Sequence, residues 1–204
     1  MNFAEQKKRL VAHWKAQGIS ENILHAFLAI PREHFVPQKL RDLAYADEPL
    51  PLAQHSTISQ PTTVMLMLSW LCPQKEDKIL EIGTGSGYHA ALLSKLCKEV
   101  ISLEVNGDLV CEAKKRITEL GITNVSIVHT TGMQGFSEKA PYDKIVVTAA
   151  CKNIPLVLIE QLKEKGVLLI PVGVGIQKMV RVIKEKGRIT EESLGDFAFV
   201  ELQE

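Results

Sequence analysis

Apolar residues near the start of the chain recur at the spacing of an α-helix. Leu10, Val11 and Trp14 form one set, and a second set lies within residues 23–30. Because side chains three or four residues apart share one face of a helix, these sets predict two amphipathic helices. Gly18 lies between the two sets and favours a break there. The pattern therefore predicts that the chain opens with a pair of helices.

Proline shapes the next part of the chain. Five prolines fall within residues 31–61: Pro31, Pro37, Pro49, Pro51 and Pro61. Each proline removes a backbone N–H donor and fixes φ, so we expect an extended segment that lies over the core instead of a long regular element. Pro61 itself suits the first turn of a helix. The apolar residues after it predict a third helix that ends near Cys72.

From residue 78 onward, short apolar runs alternate with stretches at helical spacing. The predicted strands are KILEI (78–82), VISLEV (100–105), VSIVH (125–129), DKIVVTA (143–149), VLLIPV (167–172), KMVRVI (178–183) and FAFVEL (197–202). The predicted helices between them are AALLSKL (90–96), LVCEAKKRITEL (109–120) and PLVLIEQL (155–162). This alternation predicts an α/β fold, with a doubly wound, mainly parallel seven-stranded sheet and an N-terminal helical extension. The last two strands follow each other directly and predict a C-terminal antiparallel edge hairpin.

Composition narrows the possible function classes. The 24 Lys and Arg residues balance the 24 Asp and Glu residues, which argues against a nucleic-acid partner held by a broad basic face. No apolar run approaches the roughly 20 residues of a membrane span, and the amino terminus has no apolar stretch after its charges. We therefore expect no membrane association and a cytoplasmic location. The four cysteines are widely spaced without a CxxC pair, which favours reduced thiols and no metal site.

A glycine-rich loop follows the first predicted strand of the sheet. Gly83, Gly85 and Gly87 stand between KILEI and a helix, where the backbone can turn sharply and approach a ligand closely. The spacing is not GxGxxG, and the loop lacks the GK[ST] of a P-loop, so NAD, FAD and ATP are disfavoured. Glu104, 21 residues beyond Gly83, can accept hydrogen bonds from two ribose hydroxyls. The alternatives are a turn without a ligand and a solvated glutamate at a strand end.

The loop together with Glu104 resembles the S-adenosylmethionine site of the class I methyltransferases. Further segments extend the likeness in this order: PREHFVP, AYADEPLPL, TISQP, LEIGTGSGYHAALLSKL, APYDKIVVTAA, IPLVLIEQLK and LLIPVG. These segments, which span residues 31–173, resemble the protein-L-isoaspartate O-methyltransferase family. The resemblance implies a Rossmann-like methyltransferase fold and a single domain over residues 1–204. Within that domain, residues 1–60 would cover the substrate and residues 61–204 would form the cofactor-binding core.

The resemblance also implies a reaction. Enzymes of this family transfer a methyl group from S-adenosylmethionine to the free carboxylate of an L-isoaspartyl residue in a damaged protein or peptide. S-adenosylhomocysteine is the other product. The ester then closes to a succinimide, which gives a route back to aspartate. Because a carboxylic acid with a pKa of about 4 is ionised at neutral pH, the attacking oxygen needs no general base. The enzyme has to align that oxygen with the sulfonium methyl and exclude water. A monomer that acts on isoaspartyl proteins is expected.

Roles for single residues follow from the same resemblance. It implies that Ser59 is the catalytic residue. Ser59 stands just before a predicted helix start, whose N–H groups and dipole favour a carboxylate. The alternative is that Ser59 only caps this helix. The cofactor-binding residues that it implies are Gly83, Thr84, Gly85, Ser86, Gly87, Glu104, Thr131 and Gly132. The substrate-binding residues that it implies are His55, Thr57, Ile58, Ser59, Gln60, Thr148 and Ala149. His55, His89 and His129 are interpreted as polar loop or element-end residues and not as proton shuttles.

Three segments depart from the family's usual sequence. Thr130-Thr131-Gly132 stands in place of GDG, so the carboxylate expected near the adenine amino group is replaced by the weaker acceptor Thr131. Residues 53–56 replace a glycine-rich GxGQ segment, and residues 198–202 replace RFVPL and its arginine. Two alternatives therefore stay open. One is a methyltransferase of the same fold that acts on another carboxylate or small molecule, and the other is a non-catalytic homologue that binds the cofactor weakly.

Overall fold

A mixed sheet of seven strands forms the centre of the computed structural model, which describes residues 3–53 and 56–203. The helices are α1 (Phe3–Ala16), α2 (Glu21–Ala29), α3 (Pro61–Leu71), α4 (Tyr88–Leu93), α5 (Gly107–Glu119) and α6 (Leu156–Glu160). The strands are β1 (Leu50–Pro51), β2 (Thr57–Ile58), β3 (Lys78–Ile82), β4 (Glu99–Glu104), β5 (Val125–His129), β6 (Tyr142–Val147), β7 (Leu162–Val172), β8 (Gln177–Glu185) and β9 (Arg188–Phe197). Short 3₁₀ helices cover Arg32–His34, Gln38–Leu43 and Ser137–Lys139. Within the described ranges, no helix combines the length and apolar character that crossing a membrane requires.

The strand order of the central sheet determines where a crevice opens at its edge. The order is β5-β4-β3-β6-β7-β8-β9; β3 to β7 run parallel, and β8 and β9 are antiparallel additions at one edge. This arrangement confirms the predicted fold class with its edge hairpin. The chain leaves β3 on one side for β4 and later returns on the other side for β6. Such a reversal opens a crevice at the carboxyl ends of the strands, where open α/β sheets bind ligands.

The last strand is displaced from its predicted position. The sequence predicts a strand at residues 197–202, whereas β9 ends at Phe197 and the following residues make only a single bridge, from Glu201 to Ala150. The side chains of β9 are mostly exposed, so this edge strand lacks the apolar alternation of a half-buried strand. Phe197, the last residue of β9, packs edge-on against Trp70 of α3 with ring centroids 5.8 Å apart.

The N-terminal segment packs against one face of the sheet. The three predicted helices are confirmed as α1, α2 and α3, and Trp14 and Phe27 join the apolar cluster that covers this face. Trp14 Nε1 donates to Thr62 Oγ1 at 2.8 Å, and the Thr62 amide donates to Asp47 Oδ1 at 2.8 Å. The first turn of α3 is thereby joined to both α1 and the proline-rich segment. That segment is folded into two 3₁₀ helices and the β1-β2 hairpin, and is not simply extended.

Arg32 connects the N-terminal segment to the loop before α3. Its side chain is fully buried, with Nε donating to Ala44 O at 2.8 Å and Nη2 donating to Ser59 O at 2.9 Å. The guanidinium lies over the Tyr88 ring, 5.1 Å from its centroid, and burial lowers the pKa of Arg32 below its usual range. Among the residues that the structure describes, no carboxylate forms an ion pair with it. Arg32 therefore holds two separate stretches of backbone together through carbonyl groups alone.

We expect Arg32→Lys to lower the free energy of unfolding by about 1–3 kcal/mol, because an ammonium group does not reproduce the fork that bonds both carbonyls and leaves a buried acceptor unpaired. Urea unfolding followed by tryptophan fluorescence measures this loss. Arg41→Lys is the matched control, since Arg41 is exposed in the second 3₁₀ helix, and its effect should stay within about 0.5 kcal/mol. Equal effects of the two substitutions would contradict the role given to the buried guanidinium.

Candidate active site

A cavity opens at the carboxyl ends of β3, β4 and β6, where the strand order reverses. It contains roughly 1010 Å³ of space, part of which is open to solvent. Four stretches contribute most of its wall: residues 56–59 around β2, the glycine loop at residues 83–86, residues 103–106 at the end of β4, and residues 200–203 near the carboxyl terminus.

The cavity brings together most of the residues that the sequence predicts for the site. Those in its wall are Thr57, Ile58, Ser59, Gly83, Thr84, Gly85, Ser86, Glu104, Gly132, Thr148 and Ala149. Gln60, Gly87 and Thr131 are not in the wall, and His55 lies outside the described residues. Thr131 is exposed and stands between two residues of the wall, Thr130 and Gly132.

Packing accounts for the positions of Gln60 and Gly87. Gln60 occupies the N-cap position of α3, and its Oε1 accepts a hydrogen bond from Thr63 Oγ1 at 3.3 Å. Gly87 has φ +86°, and a Cβ atom there would lie 3.2 Å from Ala113 Cβ of α5. The glycine thus allows the loop to pass close to α5. Both residues shape elements next to the cavity without forming its wall.

The glycine loop is fixed to the strands on both sides of β3. Gly83 N and Thr84 N donate to Leu103 O of β4 at 2.9 and 3.0 Å. On the other side, Thr148 Oγ1 after β6 donates to Gly83 O at 2.6 Å. Gly83 has φ +96°, and a Cβ atom at this position would collide with the Thr148 hydroxyl. The backbone can therefore approach both its neighbours and a ligand here only because residue 83 is glycine.

Glu104 orients the loop from the end of β4. Its side chain is 8% exposed, with Oε2 accepting from Gly85 N at 2.8 Å and Oε1 accepting from Asn106 N at 3.0 Å. A carboxylate can accept about four hydrogen bonds, so both oxygens keep capacity for a ligand hydroxyl. Glu104 thus combines a structural contact to the loop with an acceptor face on the cavity, and it is not a solvated residue at a strand end.

Ser59 lies between β2 and α3 and lines the same cavity as the glycine loop. Its backbone carbonyl is held by Arg32, and its side chain reaches the wall of the cavity. Gln60 and not Ser59 holds the N-cap position, and no side-chain cap bond is formed at this helix start. Within the described ranges, no protein group hydrogen-bonds the Ser59 hydroxyl. The hydroxyl is therefore available to donate to a bound carboxylate, and it does not act as a plain helix cap.

A buried polar network lies beneath the glycine loop. Glu81, in the middle of β3, has no exposed surface, and its Oε1 lies 2.8 Å from His89 Nδ1. Ser102 Oγ donates to the other carboxylate oxygen and lies 2.6 Å from Thr84 Oγ1. His89 also lines the cavity, which sequence reasoning missed. The available signal was Glu81 itself, because a charged residue inside an apolar strand needs buried partners.

The carboxyl-terminal residues close one side of the cavity. Ala150 N donates to Val200 O at 2.8 Å, and Leu202 N donates to Ala150 O at 2.9 Å. These bonds attach the segment to the chain just after β6. As a result, residues 200–203 enter the wall, among them residues of the segment that departs from the usual RFVPL.

Comparisons with known proteins agree with this architecture. The sequence model of the family described as protein-L-isoaspartate(D-aspartate) O-methyltransferase matches residues 5–204. A protein-L-isoaspartate O-methyltransferase of Dictyoglomus turgidum is 46% identical over 203 residues, which cover 98% of this chain and 92% of the relative. A protein-L-isoaspartate O-methyltransferase 2 of Archaeoglobus fulgidus is 38% identical over 208 residues, covering 100% of this chain and 95% of the relative.

Solved structures give the same result. A protein-L-isoaspartate O-methyltransferase superposes with a TM-score of 0.88 at 30% identity, covering 97% of this chain and 66% of that chain. A putative protein-L-isoaspartate O-methyltransferase of Plasmodium falciparum, in complex with S-adenosyl-L-homocysteine, has a TM-score of 0.83 at 27% identity, with 96% of this chain and 97% of the other covered. The match of the family across residues 5–204 and the likeness to full-length relatives show that this chain belongs to the protein-L-isoaspartate(D-aspartate) O-methyltransferase family.

Proposed function

We propose that this protein transfers the methyl group of S-adenosylmethionine to the free carboxylate of L-isoaspartyl residues in damaged proteins and peptides. The resulting ester closes to a succinimide and so begins repair. The observation that carries the proposal is the meeting of two motifs in one cavity, whose wall contains both the Ser59 loop and the glycine loop after β3. Membership of the family supports the same reaction.

The residues around the cavity fit the cofactor. Gly83 leaves room for close approach of the backbone, and Glu104 offers an acceptor to a ribose diol. His89 Nε2 is a buried polar atom that has no hydrogen-bond partner among the described residues, as expected in a site built for a polar ligand. When bound, S-adenosylmethionine supplies a methyl group on a sulfonium, which reacts with a carboxylate by direct displacement.

The acceptor side requires orientation and not proton transfer. An isoaspartyl carboxylate is ionised at neutral pH, so Ser59 acts as a hydrogen-bond donor that positions one carboxylate oxygen. The dipole at the start of α3 favours the same negative charge. Val64 and Met67 contribute apolar surface next to Ser59 and help to exclude water from the reacting atoms.

The organisation of the chain suits an enzyme that acts on flexible polypeptides. We propose a single domain over residues 1–204, in which residues 1–60 cover the substrate and residues 61–204 hold the cofactor. The zero net charge argues against a nucleic-acid partner. A cytoplasmic monomer that meets isoaspartyl proteins as substrates is the simplest form of this proposal.

The first experiment measures transfer of labelled methyl from S-adenosylmethionine to an isoaspartyl peptide, to the same peptide with normal aspartate, and to a panel of free carboxylic acids. We expect incorporation into the isoaspartyl peptide only, because recognition depends on the displaced backbone. Incorporation into free acids alone would assign the protein to another acceptor. Demonstrated cofactor binding without any transfer would leave a non-catalytic homologue.

Ser59→Ala is expected to lower kcat/KM for the isoaspartyl peptide about tenfold or more, because a hydrogen bond to a charged group contributes roughly 1.5–3 kcal/mol. The dissociation constant for S-adenosylhomocysteine, measured by calorimetry, should change by less than about twofold. Ser126→Ala on the exposed face of β5 is the matched control and should leave both values unchanged. A parallel loss of cofactor binding in Ser59→Ala would argue against a role that faces the substrate.

Thr131→Asp is expected to tighten binding of S-adenosylhomocysteine several-fold, because an ionised carboxylate at the rim between Thr130 and Gly132 accepts a stronger hydrogen bond from an adenine amino group. Thr131→Asn is the matched control, with the same shape and no charge, and should give a smaller gain. Calorimetry measures both. Unchanged affinity in the aspartate variant would mean that residue 131 does not face the adenine.

A further inference from the structure

His89 is an enclosed polar side chain that lines the cavity and has an incomplete set of hydrogen bonds. It is the second residue of α4 and only 8% exposed. Its Nδ1 lies 2.8 Å from Glu81 Oε1, whereas Nε2 is buried and has no partner among the described residues. A buried ring nitrogen without a partner is costly. The ring is held firmly by one nitrogen, and the other remains open for a ligand.

Glu81 determines which ring nitrogen of His89 carries the hydrogen. A carboxylate only accepts hydrogen bonds, so the proton of the neutral imidazole lies on Nδ1, the nitrogen that faces Glu81. Nε2 then presents a lone pair. Glu81 receives its other bond from the Ser102 hydroxyl, which is uncharged. In the Glu81–His89 pair, Nε2 is therefore a hydrogen-bond acceptor at the cavity. The Glu81 carboxylate, which accepts from Nδ1, makes Nε2 a stronger acceptor.

The charge of Glu81 also lacks a permanent cation. The side chain has no exposed surface, and its only ion-pair contact within the described ranges is His89 itself. A buried charge without an opposite charge is unfavourable, and hydrogen bonds from neutral groups offset this cost only in part. A ligand that brings a positive group with N–H donors close to Nε2 would relieve this cost. S-adenosylmethionine has one such group, its α-ammonium, because the sulfonium carries no hydrogen.

We propose that His89 Nε2 accepts a hydrogen bond from the α-ammonium group of the cofactor's methionyl part, with Glu81 as the counter-charge behind the ring. This inference rests on the proposed function only for the identity of the cofactor. It makes His89 a binding residue that selects an amino-acid end on the nucleoside, and it assigns the buried Glu81 a purpose beyond packing. The ring does not exchange a proton with the substrate.

The test compares three ligands by calorimetry: S-adenosylhomocysteine, its analogue without the amino group, and its analogue without the carboxylate. We expect the unaltered protein to bind the amino-deficient analogue at least tenfold more weakly than S-adenosylhomocysteine. In His89→Leu this ratio should fall to about one. In His89→Gln it should be largely retained, since the amide can donate to Glu81 and still offer an oxygen to the ligand.

A second readout needs no variant. In protein labelled with ¹⁵N-histidine, the signal of the unprotonated His89 Nε2 should shift when S-adenosylhomocysteine binds and stay in place with the amino-deficient analogue. This measurement keeps the idea testable if His89→Leu does not fold.

Two outcomes overturn the proposal. The same affinity ratio in His89→Leu as in the unaltered protein would show that the amino group is bound elsewhere. If His89→Leu instead weakened binding only of the ligands that carry the carboxylate, a protonated His89 would be binding an anion. Both outcomes leave the proposed function intact, because S-adenosylhomocysteine still binds the unaltered protein. Failure of the unaltered protein to bind S-adenosylhomocysteine would instead reject the proposed function and this inference together.

Discussion

The site depends on the way in which the backbone after β3 is held between its two neighbouring strands. Leu103 O of β4 accepts hydrogen bonds from Gly83 and Thr84, and Thr148 N donates to Ile82 O at 2.9 Å from the other side. These bonds extend both parallel ladders beyond the end of β3. The position of the glycine loop is therefore set by the central sheet and not by a ligand. Groups carried by a rigid scaffold can be placed accurately before any ligand arrives.

Sequence patterns recovered the fold well where packing is local and repetitive. Strands β3, β4 and β6 are largely buried and appear in the sequence as apolar runs, and the helices show the apolar spacing of a helix. The pattern failed at β9, which is too exposed to carry an apolar signal, and at residues 198–202, whose backbone bonds Ala150 after β6 without forming a strand. The hairpin of β1 and β2 was also missed, because strands of two residues have no period to detect.

The site was predicted only as far as motifs define it. Ser59, Gly83 and Glu104 belong to short segments whose spacing points to a ligand, and the cavity contains all three. Arg32 and His89 carry no such signal, because their importance arises from partners distant in sequence or from burial. A sequence shows that Arg32 is charged, but only the folded chain shows that the charge is buried behind Ser59.

The first two residues of α4, Tyr88 and His89, separate the buried charges of Arg32 and Glu81. Tyr88 lies under the guanidinium of Arg32, and His89 holds the carboxylate of Glu81. Neighbouring helical residues point about 100° apart, so one turn of helix keeps a cation on the Ser59 side and an anion on the side of the glycine loop. Taking a charge out of water costs free energy, which hydrogen bonds and close contacts have to offset. The first turn of α4 therefore fixes the positions of both buried charged groups next to the cavity.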